Sequence, residues 1–151
     1  MGRTEGEVTE KPDVDFYVLS GRRDAERLHF ACRLSEKIWK MGHRIFIHAP
    51  DASAAHVMDS LLWTFKDDSF VPHCIDAGER TPLEPIIIGS GQAPTADLDV
   101  LVNLAEDVPA WAMDFERIAE LIPPDDAGKA RGRERFRHYR DHGCEVRTHA
   151  V

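Results

Sequence analysis

Residues 128–143 read GKARGRERFRHYRDHG and concentrate the cationic chemistry of the chain. Between positions 129 and 140 six cations (Lys129, Arg131, Arg133, Arg135, Arg137 and Arg140) stand against Glu134 alone, inside a chain of formal net charge −8. Guanidinium groups suit carboxylates and phosphates because the planar fork donates two parallel hydrogen bonds. At helical spacing Lys129, Arg133, Arg137 and Arg140 form one stripe, and Gly132, Phe136, Tyr139 and Gly143 form the next. The cationic stripe is expected to face outward and the aromatic one to face the core. Spacing alone favours a solvated basic face over a core stripe, and it leaves carboxylate binding open.

The other reactive residue types are dispersed. Cys32, Cys74 and Cys144 are odd in number and form no CxxC pair, so neither a disulfide framework nor a zinc site is expected. The eight histidines show no ligand spacing apart from a loose His138/His142 pair, and neighbouring cations there disfavour a metal. His73 and Cys74 are adjacent, but neighbours in an extended segment point apart. Ser20, Ser69 and Ser90 lack the context of a nucleophile elbow. SGRRD (20–24) has one glycine where a dinucleotide fingerprint needs three, GSGQ (89–92) lacks a following helix, and no P-loop occurs. No catalytic residue, cofactor or metal is expected.

The elements that must position the basic stretch follow from periodicity. VDFYVLS (14–20) reads as a first strand, and residues 24–42 as a helix with Leu28, Ala31, Leu34, Ile38 and Met41 inward and Gly42 as its stop. HRIFIHA (43–49) reads as a strand, and residues 50–65 as a helix capped by Asp51 or Ser53. EPIIIGS (84–90) and DLDVLVNLA (97–105) are apolar runs of the kind covered on both faces. A long loop is expected over 66–85, a third helix over DFERIAEL (114–121), a stop at IPPDD (122–126), and a last strand over 144–150. Strands alternating with helices imply an α/β fold: a Rossmann-like three-layer arrangement around a mainly parallel sheet of five or so strands. Residues 1–13 are polar and are expected to be a disordered lead-in to a single domain over 14–151.

Two strings are more specific: LLWTFKDDSFVPH (61–73) and RERFRHYRDHG (133–143). With the DFYVLS strand they resemble the chi subunits of bacterial DNA polymerase III holoenzyme, over roughly residues 14 to 149. The resemblance implies a Rossmann-like subunit of a DNA-directed DNA polymerase assembly, without catalytic activity of its own. It implies a place in the clamp loader through the psi subunit, and binding to the acidic, Phe-terminated tail of single-stranded-DNA-binding protein. It also implies a Rad3-class helicase as a partner on the psi surface. By resemblance the tail would meet Ile122, Lys129, Arg133, Phe136, Arg137 and Thr148, with Phe136 standing where the family often has Tyr. Trp63, Phe70, Val71, Pro72 and His73 would meet psi or the helicase.

Bulk properties agree with a reduced cytoplasmic protein: 42% apolar and 30% charged residues, no apolar run long enough for a membrane helix, and no apolar leader at the N-terminus. The acidic balance disfavours nucleic-acid binding over the whole surface. Two alternatives stay open: a nucleic-acid-binding module that uses helix 129–140, and a small nucleotide-using enzyme.

Overall fold

The computed structural model describes residues 11–20, 23–67 and 70–151. Its elements are β1 (Asp13–Val18), α1 (Asp24–Lys40), β2 (Ile45–Ala49), α2 (Ala52–Thr64), β3 (His73–Ile75), β4 (Ile86–Ser90) and β5 (Val100–Asn103). A single 3₁₀ turn (Ala112–Asp114), β6 (Arg117–Ile122), α3 (Asp126–Asp141) and β7 (Glu145–Ala150) complete them. Seven strands form one sheet in the order β3-β4-β2-β5-β6-β1-β7, and every pairing is parallel. This is the expected Rossmann-like α/β architecture, with two more strands than the apolar runs suggested. No helix among the described residues is long and apolar enough to cross a membrane.

The central strands are buried on both faces, which is why they read as unbroken apolar runs. One face packs under α1 and α2 through Ala31, Ile45, Ile47, Met58, Leu62, Ile86 and Ile88. The other packs under α3 and the 3₁₀ turn through Phe16, Phe46, Ile87, Leu101, Ile118 and Tyr139. Asp51 Oδ1 accepts from the Ala54 amide at 2.8 Å, which selects it as the α2 cap. Gly42 stops α1 with a φ of 97°, a conformation that other residues resist. Met41, expected on the inner stripe, is exposed beyond the last turn of α1.

Three expectations are corrected. The segment 114–121 is not a helix: its core is β6, paired to β5 and β1 over Arg117–Ile122. Phe115, Ile118 and Leu121 fit a helical period, yet Ile118 and Ile122 pack on one face of the sheet while Ala119 and Leu121 pack on the other. The loop over 66–85 contains β3, a three-residue edge strand too short to carry a period of its own. Finally, β1 starts at Asp13, whose amide bonds the Glu116 carbonyl at 3.1 Å, and Pro12 before it is buried. The lead-in therefore ends before residue 12, and its residues 1–10 lie outside the described residues.

Candidate functional site

α3 is fastened to the sheet by a polar anchor that sequence reading missed. Glu120 in β6 is fully buried and its two oxygens meet three donors. Arg135 Nε donates to Oε1 at 2.8 Å, Tyr139 Oη to Oε2 at 2.6 Å, and Asn103 Nδ2 to Oε2 at 2.9 Å. Arg135 also donates to the Glu106 carbonyl at 2.7 Å, and Asn103 Oδ1 meets His48 Nδ1 at 3.0 Å. Burial pushes the Glu120 carboxyl up, and Arg135, Tyr139 and Asn103 pull against it. Three donors and no acceptor are what an ionised carboxylate requires. One signal was available: Arg135 lies three residues after Gly132 and four before Tyr139, so it belongs to the buried stripe.

The anchor fixes the rotation of α3. At ~100° per residue, Gly132, Arg135 and Tyr139 define the inward side. At Gly132 the helix approaches β6 tightly: a Cβ there would stand 2.9 Å from Ile122 Cδ1. One shoulder of α3 faces the loop after β5, where Arg131 pairs with Glu106 at 3.4 Å and with Asp107 at 3.5 Å. The other shoulder faces β1 and β7, since the Phe136 ring packs at a tilt against Phe16 of β1, centroids 5.4 Å apart. Lys129, Arg133, Phe136 and Arg140 fall within about 60° of one another on that shoulder.

Most of the six residues expected at the tail site converge here. Ile122 is buried under Gly132, Phe136 is half-buried, and Thr148 is exposed on β7 opposite Phe16. Lys129, Arg133 and Arg137 are exposed, and none of them forms an ion pair among the described residues, unlike Arg131, Arg135 and Arg140. Arg137 points furthest from the sheet and is the outlier of the group.

The second expected surface lies at the opposite edge of the sheet. Trp63 at the end of α2 is 54% exposed and Phe70 is 63% exposed, with ring centroids 5.6 Å apart. Beneath them His73 is buried, 4.7 Å from the Trp63 ring. Its Nε2 lies 3.1 Å from the Asp59 carbonyl and its Nδ1 2.6 Å from the Val71 carbonyl. Val71 is buried and Pro72 half-buried, so these two and His73 form the floor and the aromatics the surface. Trp63→Ala and Phe70→Ala should each cost about 1 kcal/mol or less in urea unfolding, because half or more of each ring is already in water.

A crevice of about 1120 Å³ opens at the carboxyl ends of the strands, where β2 and β5 send the chain to opposite faces. It is lined by His48, Trp111, Pro123 and three arginines, Arg27, Arg131 and Arg135. Such crevices hold ligands in many doubly wound folds. Here each arginine is already engaged, Arg27 by Asp24 at 2.8 Å. Two thiols elsewhere among the described residues are made less reactive: burial pushes the Cys32 thiol up to about 12, and burial with Glu84 pushes Cys74 up to about 11.

Burial lowers the His48 pKa below its ordinary value, against the pull of Asn103. The unfolded chain therefore binds this proton more readily. The stabilising contribution of neutral His48 is present above about pH 6.5 and is lost as pH falls toward the folded value. Thermal melts at pH 7.5 and 5.5 should show a drop that shrinks in His48→Gln.

Fold and surface together define a class: an all-parallel, Rossmann-like α/β domain carrying a cationic edge helix. Residues 12–147 match the family model described as DNA polymerase III chi subunit, HolC, and the chain belongs to that family. It is 35% identical over 138 residues to the DNA polymerase III subunit chi of Pseudomonas aeruginosa, covering 91% of this chain and 96% of that one. It is 31% identical over 142 residues to the subunit chi of Haemophilus influenzae, again covering 91% and 96%. With that of Escherichia coli it shares 28% over 144 residues, covering 90% and 96%. Chi is an accessory replication subunit, so a role within a hetero-complex follows from the family.

Proposed function

We propose that this chain is a non-catalytic coupling subunit that joins the clamp loader to the acidic, Phe-terminated tail of single-stranded-DNA-binding protein. The observation that carries this reading is the β7-side shoulder of α3. There Lys129 and Arg133 are exposed and unpaired among the described residues, beside the half-buried Phe136. Cations next to an apolar ring suit a peptide that ends in an aromatic side chain and a free carboxylate. Calorimetric titration of the full chain with such a peptide tests the proposal. Binding that weakens moderately with added salt is expected, and no binding at low salt would end it. A steep salt dependence with single-stranded DNA alone would instead make the helix a nucleic-acid contact.

The Trp63–Phe70 surface is proposed as the contact for psi or a Rad3-class helicase. Two large exposed rings over a buried histidine have the make-up of an interface hot spot. Trp63→Ala should weaken capture of that partner by at least roughly 2 kcal/mol while leaving tail binding unchanged. Loss of tail binding in the same variant would show that the two surfaces are not independent.

A further inference from the structure

β7 is an outer strand of the sheet and, among the described residues, pairs with β1 alone. Just beyond it Val151 donates to the Val18 carbonyl at 3.0 Å and accepts from the Ser20 amide at 3.2 Å. The N–H and C=O of one residue in a strand point to the same side, and the side alternates along the chain. Glu145, Arg147 and His149 therefore turn their backbone groups toward β1, as Val151 does. Val146, Thr148 and Ala150 turn theirs to the open edge, where they have no partner among the described residues. An unpaired edge of this kind is a template for another extended chain.

The side chains of the same three residues lie on the α3 face, since Val146 packs in the cluster with Phe136 and Tyr139. A strand added at the usual spacing of about 4.8 Å would run beneath the shoulder that carries Lys129, Arg133 and Phe136. Alternate side chains of that strand would face those cations and the ring. The interleaved ones would face the other side of the sheet edge. There Arg147 offers a cation, loosely held by Asp13 at 3.9 Å, Asp15 at 3.7 Å and Glu145 at 3.6 Å.

We infer that the acidic tail is held as an eighth strand on β7, its backbone bonded to Val146, Thr148 and Ala150 and its alternate carboxylates under α3. This rests on the proposed tail-binding function and specifies its geometry. The edge supplies hydrogen bonds that do not depend on tail sequence, and the α3 shoulder supplies selection for acid at every second position.

Amide exchange of the full chain, followed by NMR with and without a short acidic peptide ending in Phe, tests the inference. Val146, Thr148 and Ala150 amides should slow on peptide addition, while Arg147 and His149 are already slow. A series of peptides N-methylated at one bond each should lose affinity by roughly tenfold or more at alternate positions and little at those between. If wild type binds the peptide and Arg133→Ala binds it less well, but every N-methylated peptide binds alike, the tail is held by side chains only. The inference then fails while the proposed function stands. If the peptide does not bind wild type at all, both fail.

Discussion

Arg133→Ala is expected to weaken binding of the acidic, Phe-terminated peptide by roughly ten- to a hundredfold. The guanidinium sits on the β7-side shoulder of α3, one turn from Lys129 and three residues from Phe136, and no acidic group engages it among the described residues. A charge-assisted pair at a partly enclosed site is worth about 1.5–3 kcal/mol, the source of that range. Arg133→Lys should recover part of the loss, because an ammonium cannot present the fork. Arg131→Ala is the matched control. It removes a cation two residues away that is turned toward Glu106 and Asp107, and tail affinity should change little. Calorimetry on the three variants reads all of this. Equal affinity in wild type and Arg133→Ala would reduce the basic helix to a solvated face.

Glu120→Ala should lower unfolding free energy by about 3–5 kcal/mol in urea, a large share of the roughly 5–15 kcal/mol of a typical domain. The substitution strands Arg135 as a buried cation and removes the acceptor of Tyr139 and Asn103. The cost is thus mainly the uncompensated charge, and a second change that removes it should restore stability. Glu120→Leu combined with Arg135→Met should be more stable than Glu120→Ala, since an apolar replacement of a buried pair is often neutral or favourable. If the double variant is no more stable than the single one, the guanidinium is already well served by the Glu106 carbonyl at 2.7 Å. The same measurements reach function, because this anchor sets which shoulder of α3 faces β7.

Much of the architecture was legible locally. The apolar runs that became β1, β2, β4 and β5, the helical stripe of α1 up to Ile38 and the stop at Gly42 are short-range patterns, and each marks its element, with ends that shift by a few residues. The cationic stripe was legible through spacing, and the surface place of Trp63 and Phe70 only through the family resemblance. β6 was not. Ile118 and Leu121, with Phe115 just before the strand, match a helix, and Glu120 argues against a central strand. That glutamate is tolerated only because Arg135, fifteen residues later, and Asn103, seventeen earlier, arrive beside it when the chain folds. The strand order, with β5 and β6 inserted between β1 and β2, is likewise a long-range result. Composition and spacing determined that a basic amphipathic helix would cover one face of a parallel α/β sheet. Only the tertiary structure decided which cations stay unpaired among the described residues: Arg131 and Arg133 are alike in sequence, but the loop after β5 gives acids to one and the open β7 edge lies beside the other.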